Sequence, residues 1–433
     1  MAEESTNEAT RRQFFRLLGR QTATSAGNLW GTVNALRRTS SEAANELLGL
    51  PAAGVAPAQS AESAAQAQAA ESASVAAEFR SPYRLAGDSI VILDQRTLPG
   101  SSSVIECSAA SEVAAAIRSG AIGGGPVLGQ LAAHTCVVAV GRLRDRPTHQ
   151  RRSALRAAAA TLRTSRPTQR SIRHALARIE AADEELGDEL DGAAHHAVLL
   201  AEADALAMAA ALDHSALGRA GARVIAARQG AAGSALNLLI HGDGGALAGG
   251  LVATSFSVVA ALVAADVPLH AWLTEAGPTF EGGRLGAHQL AAAGVPHTVV
   301  ADSAVSWLFD HRRVDAVLLR ADWVCANGDM CAPLGSLNIS RLAPPTVPVY
   351  ACAPASVIDP ATASGSDVPP EFRVPAPGAP GPRLDPGVDV VPAALLSGLF
   401  TAAGVIEPPF ADRLATTTLA TTTLAATPAE PVG

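Results

Sequence analysis

From about residue 235 onward the chain repeats one pattern: a short apolar run, a turn, then a helical stretch. The runs are "ALNLLIH", "LHAWLTE", "HTVVAD", "DAVLLRAD" and "VPVYACAP". Runs this short and this apolar suit strands buried on both faces, as in a parallel sheet. Alternation with helices implies right-handed βαβ units and a doubly wound sheet. Ligands of such sheets bind outside the carboxyl ends of the strands. Functional residues are therefore expected directly after each run.

At 433 residues the chain has room for two domains and a sizeable core. Hydrophobic residues make up 48% but aromatics only 3%, so the core must be built from Ala, Val and Leu. The net charge of −8 argues against a nucleic-acid partner or an anionic membrane surface. Without an unbroken apolar run of spanning length, no membrane span is expected. Cys107, Cys136, Cys325, Cys331 and Cys352 are odd in number and lack CxxC spacing. They fit reduced thiols in a cytoplasmic protein, and no metal site is expected from them.

The expected architecture is a helical N-terminal domain followed by a doubly wound, mostly parallel, Rossmann-like α/β domain. Residues 1–50 form an amphipathic segment and 51–79 a linker poor in anything to bury. Residues 80–230 read as the helical domain, with a strand at "SIVILD" (89–94), and 231–412 as the sheet domain. Residues 413–433 carry a short tandem repeat and read as a disordered tail. In the first segment Phe14, Leu18, Leu29, Val33 and Leu36 fall at helical intervals. "TRRQFFR" is also similar to a twin-arginine export signal, but Arg20 interrupts the apolar stretch such a signal needs. Packing on its own domain and docking on a protein partner are the other two readings.

The first run ends in His241-Gly242-Asp243-Gly244-Gly245, where glycines let backbone amides approach a ligand and a helix from Ala246 offers its positive end. A plain strand-to-helix turn explains the same glycines. Thr274, Glu275, Gly277, Pro278, Glu281 and Arg284 follow the second run, and Asp302-Ser303, which reads as a helix N-cap, follows the third. The fourth leads into a turn of Asn327, Gly328 and Asp329 between Cys325 and Cys331. An Asp in such a turn often only bonds its own backbone.

The order of these motifs resembles methylthioribose-1-phosphate isomerase, ribose-1,5-bisphosphate isomerase and the α, β and δ subunits of translation initiation factor 2B. The matching stretches are "LDQRTLP" (93–99), "GGGPVLG" (123–129), "SRPT" (165–168), "IHGDGGALA" (240–248), "TEAGPTFEGGRL" (274–285), "ADSAVSWL" (301–308), "RADWVCANGD" (320–329) and "GVIEPPF" (404–410). The resemblance implies the helical domain in front of the sheet, a homodimer, a small phosphorylated ligand and no cofactor.

For the reaction, which converts an aldose into a ketose, the resemblance implies a cysteine in the glycine turn and an aspartate in the NGD turn. Asp329 matches the aspartate, but Gly242 stands at the cysteine. Cys331 is a candidate replacement; its plainer reading is a small buried apolar residue. The phosphate-gripping arginines fall at Gly124 and Gly277, the Asn-Lys pair at Ala332-Pro333 and a sugar-contacting glutamine at Glu281, while Arg166 survives. Losing three cations should weaken phosphate binding by several powers of ten, as an order-of-magnitude estimate. The expected substrate-binding residues are Arg166, Gly242, Gly244, Gly245, Glu281 and Asn327, with Asp329 as the catalytic one. The main expectation is a family member that has lost isomerisation and serves as a ligand- or partner-binding regulatory protein. The alternative is an active isomerase, of the methionine-salvage type, with a rebuilt site.

Overall fold

The computed structural model describes residues 81–187, 191–228, 234–371 and 385–415. The readings of the amphipathic segment, the linker and nearly all of the tail lie outside the described residues.

The helical domain opens with a three-stranded antiparallel sheet of β1 (Tyr83–Ala86), β2 (Ser89–Leu93) and β3 (Val104–Cys107), with β2 in the middle. Five helices follow: α1 (Ala110–Arg118), α2 (Val127–Gly141), α3 (Thr148–Arg163), α4 (Arg170–Glu184) and α5 (Gly192–Ala226). α2 is buried over nearly its whole surface, and Leu128, Leu131 and Val140 have no exposed area. A helix apolar all round can only be central. α3 and α4 instead bury one face each, through Leu155 and Leu162 on α3 and Ile172, Leu176 and Ile179 on α4.

α5 has 35 residues and serves both domains. Leu199, Ala203 and Leu206 belong to the helical core, whereas Leu217, Ala222 and Ile225 pack under the large sheet. Asp191 caps it, accepting from the amides of Ala193 and Ala194. By length and composition α5 would also suffice to cross a membrane. The sequence reading found no such stretch because Glu202, Asp204 and Asp213 interrupt it.

The sheet domain contains a seven-stranded sheet in the order β14-β13-β10-β7-β4-β5-β6. Its members are β4 (Leu236–Ile240), β5 (Leu269–Thr274), β6 (His297–Val300), β7 (Ala316–Arg320), β10 (Val349–Cys352), β13 (Gly398–Thr401) and β14 (Gly404–Ile406). All neighbours are parallel except β13 and β14. The five runs picked out in the sequence are β4, β5, β6, β7 and β10. Both faces of β7 and β10 are buried, which is why those runs show no alternation.

Strand order grows from β4 outward to β5 and β6 on one side, then resumes with β7 on the other. The β4–β7 boundary is therefore the topological switch point, where helices leave to opposite faces and open a crevice at the strands' carboxyl ends. Beside it lies a smaller sheet in the order β11-β8-β9-β12, made of β8 (Trp323–Cys325), β9 (Met330–Pro333), β11 (Ile358–Asp359) and β12 (Val388–Val391). The folded chain continues past residue 412, because Phe410 and Leu414 are buried in the sheet-domain core.

Two local expectations change. The helix after the glycine turn is one turn long, Ala246–Gly249, and ends where Gly250 turns to φ +98°. So short a helix adds little dipole. Asp302 is not a helix cap: its carboxylate accepts from Ala276 N at 3.0 Å and Gly277 N at 2.7 Å, pinning the loop after β5.

Candidate functional site

β4 delivers His241-Gly242-Asp243 and β7 delivers Arg320 and Asp322 to the same crevice. His241 is buried with both ring nitrogens engaged: Thr274 Oγ1 lies 2.7 Å from Nδ1 and the Leu334 carbonyl accepts from Nε2 at 2.9 Å. The carbonyl fixes the proton on Nε2, so Nδ1 accepts from the threonine. Burial holds the ring below its usual pKa, against Leu334 and the acids Asp302, Glu281 and Asp389. His241 thus braces the crevice, with both ring nitrogens engaged.

Gly242 has φ +77°, a left-handed conformation that favours glycine. Space is nevertheless present: a Cβ there would stand 3.6 Å from Glu281 Oε1 and 3.7 Å from Pro333 Cγ. Asp243 accepts from Gly245 N at 2.9 Å and Gln289 Nε2 at 2.8 Å. Burial pushes its pKa up to about 6, and Glu281 adds to this, opposed by Gly245, Arg320 and Gln289. Gly244 and Gly245 face Ser255 and Gln289 at distances that leave no room for a side chain.

Arg320 is the hub. Its Nε is 3.3 Å from Asp322 Oδ1, its Nη2 3.7 Å from Glu281 Oε1, and its Nη1 donates to the Asp243 carbonyl. Burial opposes the charge, but Asp322, Glu281 and Asp243 outweigh it and hold the guanidinium protonated. From the helical domain comes Arg166, in the turn before α4. A Cβ at Gly124 would meet Arg166 Nη1 at 3.0 Å and Arg320 Nη2 at 3.2 Å, so two guanidiniums converge on one bare glycine. Gly125, at φ +117°, lets that turn press on Ala248, whose carbonyl would stand 2.6 Å from a Cβ.

Of the residues expected from sequence, Arg166, Gly242, Gly244, Gly245 and Glu281 lie in or around this crevice. Asn327 and Asp329 lie in the turn before β9, whose Cys331 carbonyl accepts from Asp322 N at 2.8 Å. Asp329 Oδ1 accepts from Ala393 N at 2.9 Å, and Oδ2 from Gly365 N at 3.1 Å and Asn327 Nδ2 at 2.8 Å. Burial raises its pKa, but those hydrogen bonds win and keep it below the usual carboxylate range. Cys331 is fully buried against Trp323 and Cys325, and burial, with the nearby charges, pushes its thiol up to about 12. Such a thiol stays protonated. Asp329 thus ties its turn to the segments at Gly365 and Ala393.

The sequence reading missed Arg320, Asp322 and Glu371. The first two carried a usable signal: they directly follow a run that reads as a doubly buried strand. Glu371 had none, since its partner Thr168 is 203 residues away in sequence.

The profile of the Initiation factor 2 subunit family matches residues 130–408. The chain belongs to that family. It is 35% identical over 350 residues to methylthioribose-1-phosphate isomerase of a Synechococcus strain, covering 78% of this chain and 97% of that protein. The protein of the same name from Chloroflexus aurantiacus is 32% identical, covering 75% and 94%. Among solved structures, 5-methylthioribose 1-phosphate isomerase of Pyrococcus horikoshii superposes with a TM-score of 0.67 at 28% identity, covering 79% of this chain and 96% of that one. The delta subunit of translation initiation factor eIF-2B from A. fulgidus gives 0.63 at 24%, a likeness of fold. The family and the two-part fold expected from the motif order are both borne out.

Proposed function

We propose that this member of the Initiation factor 2 subunit family is an aldose–ketose isomerase acting on a small sugar phosphate, with carboxylates doing the work that the resemblance assigns to a thiol. Similarity to proteins named methylthioribose-1-phosphate isomerase over 97% of one relative's length supports this above the expectation of lost activity. It makes methylthioribose-1-phosphate the first substrate to try. The observation that carries the chemistry is the pair Glu281 and Asp322, which approach Nη2 and Nε of the Arg320 guanidinium in the switch-point crevice. Glu281 Oε1 comes within 3.6 Å of the point where a side chain at Gly242 would begin, so it covers the space of the missing cysteine.

The net change is balanced within the sugar. Hydrogen leaves C-2 and arrives at C-1, while the O-2 proton passes to the ring oxygen as the ring opens. One carboxylate as base and one as acid suffice for this. Arg166 and Arg320, which converge beside Gly124, hold the phosphate. Asp329 and Cys331 have no part in it.

The test is incubation of the purified chain with methylthioribose-1-phosphate, following ketose by NMR. Product that vanishes in Asp322→Asn supports the reading.

A second reading, a binding protein without turnover, draws on the bare Gly242 and on Pro333 standing where the resemblance places a cation. It predicts saturable ligand shifts and no ketose. Pairing of two copies rests on the resemblance, and sedimentation velocity tests it.

A further inference from the structure

A guanidinium has an Nε edge and an Nη end, and Arg166 uses them in different directions. Its Nε edge lies 3.7 Å from Glu371 Oε1, and both side chains are nine-tenths buried. Its Nη1 reaches the space above Gly124, the same point that Arg320 Nη2 approaches from the sheet domain. Two like charges aimed at one point repel each other, so each must be held from behind. Arg320 is held by Asp322. Behind Arg166 stands Glu371.

Glu371 is itself anchored. Its Oε2 accepts from the hydroxyl of Thr168, and from the Thr168 amide at 3.3 Å. Thr168 is almost fully buried, two residues past Arg166 in the turn that starts α4. The neighbouring Gln169 Oε1 accepts from Gly125 N at 3.1 Å, tying this turn to the glycine turn that carries Gly124. A carboxylate from the sheet-domain loop after β11 thus sets the direction of an arginine in the helical domain.

We propose that Glu371 is a positioning residue: it fixes the Arg166 guanidinium with its Nη end aimed beside Gly124, so that Arg166 and Arg320 together form a clamp for a ligand anion with several oxygens, such as a phosphate. The proposal shares the phosphate with the isomerase reading, but its test needs no turnover.

The experiment measures inorganic phosphate binding to the full chain, to Glu371→Ala, to Glu371→Gln and to Thr168→Val, by calorimetry, with the thermal midpoint of each. Glu371→Ala should weaken phosphate binding roughly tenfold, the worth of one charge-assisted hydrogen bond. Glu371→Gln, which keeps one acceptor oxygen, enough for Thr168 or Arg166 but not both, should recover part of that loss. Thr168→Val should move binding the same way by less, and it keeps the test alive if Glu371→Ala fails to fold. Binding that is unchanged or tighter in Glu371→Ala overturns the proposal, the tighter case meaning that Glu371 competes with the anion. No phosphate binding by the unaltered chain overturns it too. Ketose formation without any effect of Glu371→Ala on phosphate would sink the positioning role while leaving the isomerase reading intact.

Discussion

Arg320 and Asp322 sit two residues apart at the carboxyl end of a central strand, with Nε and Oδ1 3.3 Å apart and both side chains almost fully buried. A buried guanidinium in this setting is costly unless its acids stay in place. Arg320→Met leaves the buried Asp322 and the neighbouring Glu281 without their cation. We expect a loss of roughly 3–5 kcal/mol in stability, read as a lowered urea midpoint, and no detectable phosphate binding. A variant as stable as the parent would show that the charges are not coupled as the geometry implies.

Gly242 combines free space with a backbone that resists side chains. Gly242→Ala should fold and lose roughly 1–2 kcal/mol, the cost of a left-handed conformation. Gly242→Cys pays the same cost and brings a thiol next to Glu281. We expect it to raise turnover of methylthioribose-1-phosphate above the parent if the carboxylates are the weaker catalysts. Equal turnover, with the thiol titrating normally, would mean that this position lies outside the reaction path.

Asp243 gives the fold a pH dependence. Its folded pKa, about 6, lies above the ordinary carboxylate value. The folded state therefore binds the proton more tightly than the unfolded chain. Between about pH 4 and 6 this contribution to stability falls as pH rises, and above 6 the penalty is fully present, on the order of 2–3 kcal/mol. Asp243→Asn should remove that slope. The check is the difference between variant and parent urea midpoints at pH 4.5 and 7, expected to grow in the variant's favour at pH 7. A constant difference would place the pKa near its ordinary value.

What could be read from sequence follows from burial. β4, β7 and β10 announce themselves because both faces are covered, leaving uninterrupted apolar runs. Arg320 and Asp322 were overlooked because "RAD" looks like the polar end of a strand, while the Asn327–Asp329 turn looked richer in chemistry. In three dimensions that turn is satisfied by Gly365 and Ala393, contacts 36 and 64 residues away from Asp329 that no local pattern reveals. The short helix at Ala246 was overestimated for a similar reason. Its alanines favour a helix, but Gly249 and Gly250 stop it after one turn. Glu371 on Thr168 is a contact between domains and leaves no trace in spacing.

Asp329 makes a contrasting case to Asp322. Its folded pKa is lowered, so its stabilisation is present above the ordinary carboxylate pKa and is lost as pH falls through the folded value. Asp329→Ala should cost roughly 1–3 kcal/mol at pH 7 by leaving amides unpaired, and Asp322→Asn, which removes one of the acids holding Arg320, should lower the urea midpoint as well.

The most direct measurement compares the turnover of methylthioribose-1-phosphate by the unaltered chain, Asp322→Asn and Asp329→Asn, each at a temperature where all three are folded. The account predicts ketose from the unaltered chain, a fall of about a hundredfold or more in kcat for Asp322→Asn, and a kcat within about threefold of the parent for Asp329→Asn. No ketose from the unaltered chain, or a loss confined to Asp329→Asn, would contradict it.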